Sequence, residues 1–221
     1  MTVVAAKKCY SYQAAELSEK LDYLLEEIGG LENFINAGDQ VLFKTNLLMG
    51  KKPEAAVTTN PEFIRALARK VKELGAEVII ADSPGGPFNE KLLKRAYQKS
   101  DLYQLAAEED LELNYNTGSS RREYHEGKIN KSFQLASYVE AADLVINLPK
   151  LKTHGLTMYT GAVKNLFGCI PGVLKAEYHL RIQSVYDFSR MLNDLAGLVA
   201  PELTIMDAVI GMEGEGPSNG R

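Results

Sequence analysis

The sequence has 221 residues, 45% of them hydrophobic and 24% charged, with a net charge of −4. This is the composition of a globular protein with one large domain, and its net acidity argues against general nucleic-acid binding. It contains neither a signal peptide nor an apolar span of about 20 residues that would cross a membrane. We therefore expect a cytoplasmic protein that has no nucleic-acid or membrane partner.

Four short apolar segments rich in β-branched residues predict strands that are buried on both faces of a parallel sheet. They are, in chain order, residues 41–43, 77–81, 143–147 and 203–207. Amphipathic stripes of period 3.6 predict helices between them. The stripes cover residues 17–28, 63–74 and 182–199, and residues 89–107 are also helical in pattern.

The alternation of strands and helices predicts one α/β domain over residues 1–221. Its sheet should be open and mostly parallel, with helices on both faces. Residues 111–136 are mixed and polar, which predicts an excursion with a hairpin around Glu126–Gly127. The glycine-rich end at 211–221 is followed by no closing strand or helix, so we expect a chain truncated there.

Ligands of open parallel sheets bind beyond the carboxyl ends of the strands. Polar or glycine-rich residues follow all four predicted strands. They include Lys44 and Asn46 after the first strand, Asp82, Ser83 and Gly85 after the second, and Asp207 at the end of the fourth. We expect these residues to meet at one edge of the sheet.

The segment after the third strand carries lysines but no acidic residue between Asp143 and Glu177. Ammonium groups and close-approaching glycine backbone suit a phosphate or carboxylate, so the segment predicts an anion pocket. The alternative is a solvated face with ordinary turns. The predicted anion-binding residues of this segment are Lys150, Lys152, Lys164, Thr160, Gly161, Asn165 and Gly172.

Three further residue types are candidates for chemistry. His154 lies among the lysines, which would lower its pKa and favour the neutral form of a base or metal ligand. Asp207, with the carboxylates of Glu213 and Glu215, could bind a divalent cation or could simply end a strand. Ser83 is a weak candidate nucleophile, because no histidine is placed beside it and "DSPGG" is not a G-x-S-x-G elbow.

Four segments resemble, in order, the family catalogued as domain of unknown function 362. They are "VLFKTNLL", "GAEVIIADSPGG", "ADLVINLPKLKTHGLTMYTGAVKNLFGCIPG" and "IMDAVIGMEGEGPSNGR". Members are often joined to ferredoxin-like modules that carry four-iron (4Fe-4S) clusters. The two cysteines here, Cys9 and Cys169, form no C-x-x-C pair, so such a cluster would need an additional module.

A more distant similarity is to the amino-terminal domain of nickel-dependent lactate racemase. It is carried by His154, Thr160–Gly161, Lys164, Pro171–Gly172 and His179. The resemblance implies that Lys164 tethers a nickel-pincer nucleotide, that His154 transfers protons and that His179 binds the metal. The racemase has a second acid/base histidine upstream, and no histidine precedes His125 here. A different phosphorylated cofactor or substrate therefore stays open.

These observations lead to one main hypothesis and two alternatives. The main one is an enzyme or redox-associated protein, isomerase- or oxidoreductase-like, that binds an anionic small molecule. Lys150, Lys152 and Lys164 would hold the anion, and Asp82 and Asp207 would orient ligands or a metal. The first alternative is a non-catalytic module that docks a ferredoxin-like domain for electron transfer. The second is a ligand-binding protein without chemistry.

Overall fold

The computed structural model describes residues 3–220. Its strands are β1 Gln40–Lys44, β2 Glu77–Ala81, β3 Glu112–Leu113, β4 Ser119–Glu123, β5 Ser132–Ala136, β6 Leu144–Asn147, β7 Lys150–His154, β8 Met158–Thr160, β9 Leu203–Thr204 and β10 Asp207–Met212. Its α-helices are α1 Ala14–Glu27, α2 Pro61–Glu73, α3 Glu90–Lys99, α4 Leu102–Glu109, α5 Tyr138–Ala141, α6 Ala162–Asn165, α7 Leu174–Arg181 and α8 Val185–Val199. No helix among these residues is long and apolar enough to cross a membrane.

The main sheet has the order β3-β2-β1-β6-β9, and all of its strand pairs are parallel. The predicted α/β fold with helices around a mostly parallel sheet is confirmed. One face packs against α1 to α4 through a large apolar cluster that contains Phe43, Ile80 and Ile146. The opposite face packs against Tyr138 of α5 and the end of β5. Because the central strands are covered on both sides, the middle residues of β1, β2 and β6 are apolar and buried.

Several predicted boundaries are wrong in detail. Residues 203–207 are divided between β9 and β10, because the chain leaves the main sheet to pair with β7. The helix predicted at 182–199 begins only at Val185, where the Ser184 hydroxyl accepts the Asp187 N–H, and α7 precedes it. The predicted helix at 89–107 is two helices, α3 and α4. The hairpin around Glu126–Gly127 is confirmed as β4 and β5.

The basic segment after β6 forms regular elements in both of its parts. Its first part forms the hairpin β7–β8, and β7 pairs in parallel with β10 to make a second, three-stranded sheet. Its second part forms α6 and α7. The lysines of this segment are therefore held on regular elements at the carboxyl edge of the main sheet.

A buried network joins the second sheet to the rest of the molecule. The ammonium group of Lys150 lies 2.8 Å from Oδ2 of Asp207 and 2.7 Å from the hydroxyl of Tyr12. The same carboxylate accepts the Tyr12 hydroxyl at 2.8 Å and the Asn60 backbone N–H at 2.9 Å. Both charged groups are almost completely buried. Removal of one partner would leave the other as an uncompensated buried charge.

We expect Asp207→Ala to lower the free energy of unfolding by about 3–5 kcal/mol, because it leaves the Lys150 ammonium group buried and unpaired. Addition of Lys150→Met should restore part of this loss, since the double variant buries no charge there. Urea denaturation measures both effects. The control is Glu215→Ala at an exposed position. An Asp207→Ala protein as stable as this control would contradict the assignment.

Candidate functional site

A cavity of about 360 Å³ opens at the carboxyl ends of β1, β2 and β6. We call it the edge cavity. The loops after β1 and β2, the hairpin β7–β8, and the segment from α6 to α7 form its wall. Of the residues that the sequence predicted, the cavity is lined by Asn46, Asp82, Ser83, Gly85, Lys152, His154, Thr160, Lys164, Asn165, Gly172 and His179.

Four predicted residues do not line the edge cavity. Lys150 and Asp207 are paired with each other in the buried network behind it. Lys44 is paired with Asp82 below the cavity floor. Gly161 is covered by the ring of Tyr159, and a Cβ atom there would overlap the Tyr159 hydroxyl. The predicted metal pair of His179 and Asp207 is therefore not brought together.

The cavity wall also contains residues that the sequence analysis did not select. Lys175 belongs to the acid-free basic run, which was the available signal for it. The others are apolar or glycine: Gly86 and Gly168 belong to the glycine-rich stretches that the sequence analysis placed at this edge, whereas no sequence pattern distinguishes the apolar residues from core residues. These other residues are Leu48, Gly86, Phe167, Gly168, Val173, Ala176 and Pro217.

Asp82 is the one carboxylate among the described residues of the wall. Its Oδ1 lies 2.8 Å from the Lys44 ammonium group and accepts the Ser83 N–H, and its Oδ2 accepts the Leu47 N–H at 2.7 Å. Gly168 makes this arrangement possible, because a Cβ atom there would overlap both charged groups. The negative charge of Asp82 is thus balanced by Lys44 and by backbone donors.

Lys152 has no such balance. Lys152 is 1% exposed, and its Nζ donates to Oδ1 of Asn46 at 2.8 Å and to the backbone carbonyl of Val57 at 2.7 Å. Burial lowers its pKa to about 7. A protonated amine has three donors, so one N–H of Lys152 remains beyond these two bonds. The Asn46 amide is itself oriented by its donation to Asn165 at 2.9 Å.

Lys164 lies against aromatic rings and forms no ion pair with any carboxylate between residues 3 and 220. Its Nζ is 4.6 Å from the ring centre of Phe167 and 5.8 Å from that of Phe188. Burial lowers its pKa to about 8. His179 stacks on Phe188 with the ring centres 4.5 Å apart, and burial followed by the charge of Lys164 lowers its pKa. Both basic groups therefore lie against Phe167, which lines the cavity, and Phe188, which is buried behind it.

Backbone amides determine the proton position on His154. Its Nδ1 accepts the N–H groups of Leu156 at 3.0 Å and Thr157 at 3.3 Å. A nitrogen that accepts N–H donors carries no proton, so the neutral ring has its proton on Nε2. Burial, then the charges of Lys164, His179 and Lys152, lower its pKa to about 4. This pattern suits a hydrogen-bond donor better than the predicted proton-transfer group.

A buried hydroxyl completes the polar part of the wall. Thr160 is 4% exposed, and its Oγ1 has no hydrogen-bond partner among the described residues. A buried polar atom without a partner costs about 1–3 kcal/mol. Since Thr160 lines the edge cavity, a ligand is one partner that would remove this cost.

Metal ligands are not clustered in the part of the chain that the structure describes. No group of three or more His, Cys, Asp or Glu side chains is placed to hold an ion there. The three residues that the racemase resemblance selects, His154, Lys164 and His179, do line one cavity. Their roles toward a nickel-pincer nucleotide stay predictions.

The motifs that build this cavity also match a family. The model for domain of unknown function 362 matches residues 41–221, which is most of the chain. The chain belongs to this family. A similar curated protein is the thylakoid-associated protein sll1697 of Synechocystis sp., which is 36% identical over 218 residues. That match covers 98% of this chain but 66% of the relative, so the chain spans somewhat less than two thirds of the relative's length.

The family match includes every part of the cavity wall. Asn46 lies near its beginning, and Pro217 lies near its end. Among the described residues, the part outside the match includes α1, which packs on the far side of the main sheet from α5. The edge cavity is therefore built from the family domain itself.

We expect the ring of His154 to titrate with a midpoint near pH 4 and to keep its proton on Nε2 at neutral pH, because two amides occupy Nδ1. Nitrogen-15 NMR of labelled protein distinguishes the two tautomers and gives the midpoint. The spectrum of His154→Gln identifies the resonance. A midpoint near the unperturbed value of about 6.5, or a protonated Nδ1, would overturn this description.

Proposed function

We propose that this protein binds an anionic small molecule, with a phosphate or carboxylate group, in the edge cavity. The observation that carries the proposal is that the cavity contains ammonium groups without carboxylate partners. Lys152 and Lys164 form no ion pair within residues 3–220, whereas the charge of Asp82 is balanced by Lys44. An anion would supply the missing negative charge.

The donors of the cavity suit such a group. Lys152 has one N–H that is not used in its two hydrogen bonds, and the ammonium group of Lys164 lies against an aromatic ring. Neutral His154 can donate its Nε2–H to a ligand. The hydroxyl of Thr160 adds a fourth donor. Charge-assisted hydrogen bonds are stronger than neutral ones, and they gain further where water is excluded. We therefore place the anionic group of the ligand beside Lys152, Lys164 and Thr160.

The ligand should be larger than an inorganic ion. The volume of about 360 Å³ lies in the range of sites for organic molecules. Leu48, Phe167 and Val173 give part of the wall an apolar surface. An organic phosphate or carboxylate, including a phosphorylated cofactor, would contact both the polar donors and the apolar part of the wall. Lys152 and Thr160 would hold its anionic group, and Lys164 would lie within reach as a charge or an amine.

The burial of the cavity lysines favours a small-molecule ligand over the alternative of ferredoxin docking. Electrostatic docking between proteins uses charges that are exposed before the partners meet. Lys152 is 1% exposed, so a molecule that enters the cavity can reach its charge. A flat acidic protein surface cannot. The third hypothesis, binding without chemistry, shares the same site and differs only in turnover.

The location of the protein within the cell is also a proposal. We propose a cytoplasmic protein, on the sequence features given above. The relative is described as thylakoid-associated, which is a statement about that protein. Stable co-fractionation of this protein with internal membranes would contradict a cytoplasmic location.

We expect phenyl phosphate to bind more tightly than inorganic phosphate, because its ring adds contact with the apolar wall. Lys152→Met should weaken both ligands at least about tenfold, since a charge-assisted hydrogen bond contributes on the order of 1.5–3 kcal/mol. Isothermal titration calorimetry measures both constants. Lys51→Met, which removes an exposed lysine outside the cavity, is the matched control.

Two outcomes would reject the proposal. One is equal affinity of the Lys152→Met and Lys51→Met proteins for phenyl phosphate. The other is the absence of binding to the unaltered protein together with salt-sensitive binding of a ferredoxin, which would favour the docking module.

A further inference from the structure

A serine and a lysine from distant parts of the chain meet in the wall of the edge cavity. Ser83 directly follows the buried carboxylate at the end of β2, and Lys175 lies in the first turn of α7. Nζ of Lys175 is 3.1 Å from Oγ of Ser83. Both residues line the cavity, although Ser83 is only 2% exposed overall.

Two backbone carbonyls beside Lys175 orient the lone pair of its neutral amine toward the Ser83 hydroxyl. Its Nζ donates to the backbone carbonyls of Ser83 and Ile170, each at 2.8 Å. A neutral amine has two N–H donors, and the two carbonyls accept both. The lone pair is then left for the third neighbour, the Ser83 hydroxyl. Burial lowers the pKa of Lys175 to about 8, so the neutral amine is well populated just above neutral pH.

The hydroxyl of Ser83 is held in place from the other side. Its Oγ accepts the backbone N–H of Gly172 at 2.7 Å. With that bond made, the hydroxyl can donate its own proton to Lys175 and keep one lone pair for attack. A hydroxyl that is both fixed and hydrogen-bonded to an amine of lowered pKa has the geometry of an activated nucleophile.

We propose that Ser83 is a nucleophile and Lys175 its general base, and that they cleave an ester or thioester bond of the anionic ligand. In the first step Oγ of Ser83 forms a bond to the acyl carbon, and its proton passes to Nζ of Lys175. The bond to the alcohol or thiol leaving group breaks, and that group takes the proton from Lys175. Water then attacks the acyl-serine by the reverse sequence, which releases the acid and restores the hydroxyl.

The remaining groups of the cavity fit this reaction. The positive charge of Lys164 is available to the oxygen that becomes negative in each step. Gly85 and Gly86 leave the wall near Ser83 free of side-chain bulk, and Gly172 allows its segment to pack closely on the backbone of Gly86. The identity of the substrate as an anion rests on the proposed function, whereas the pairing of Ser83 with Lys175 does not.

The experiment is reaction of the unaltered protein with an uncharged alkyl fluorophosphonate, followed by intact-mass analysis and peptide mapping. We expect a single adduct on Ser83. The rate of labelling should rise with pH and level off above the pKa of Lys175, near about 8. Lys175→Met should lower this rate at least about a hundredfold, which is the usual contribution of a general base. Lys91→Met, at an exposed position on α3, should label as the unaltered protein does.

A purely structural contact between the two residues predicts other results. Absence of an adduct on Ser83 in folded protein between about pH 6 and pH 10, or an adduct whose rate does not depend on pH in that interval, would overturn the proposal. The pH profile needs no variant, so it decides the question even if Lys175→Met does not fold. Phenyl phosphate binding by the same preparation tests the anion site separately. Labelling of Ser83 without binding of phenyl phosphate would support the serine–lysine pair and reject the proposed anion site.

Discussion

The burial of ammonium groups without carboxylate partners is the feature on which the site depends. Lys152 is inside the protein, where a charged amine is costly unless hydrogen bonds or an opposite charge compensate it. The Asn46 amide and the Val57 carbonyl provide only part of that compensation. Loss of the proton or binding of an anion would each remove the remaining cost. Both responses are useful at a ligand site, and neither contributes to a stable core.

Two other buried lysines make the contrast clear. Lys44 is paired with Asp82, and Lys150 is paired with Asp207, so the fold does neutralise buried ammonium groups where they hold segments together. The first pair fixes the loop after β2 below the cavity. The second pair joins the three-stranded sheet to Tyr12 and Asn60. The lysines of the cavity differ from these two pairs because they form no ion pair among the described residues, and the proposed anion site rests on that difference.

The sequence was sufficient for the α/β fold, because buried parallel strands and amphipathic helices have distinct periods. It was also sufficient to expect polar residues of β1, β2 and the basic segment at one edge, since parallel strands end at the same side of a sheet. It could not show that Lys150 pairs with Asp207 instead of lining the cavity, because that depends on the pairing of β7 with β10. It could not pair Ser83 with Lys175 either, because the two are 92 positions apart and only the fold brings them together. Apolar wall residues such as Phe167 carry no signal that separates them from the core.

Diffraction from crystals grown with tungstate tests the central claim most directly, because the anion resembles phosphate and scatters anomalously. The account predicts one strong anomalous peak in the edge cavity, within hydrogen-bond distance of Nζ of Lys152 and of Oγ1 of Thr160. A peak only at exposed cations outside the cavity, such as Arg121 or Arg181, would contradict it. Ordered water alone beside Lys152, at tungstate concentrations that fill those outer positions, would contradict it equally.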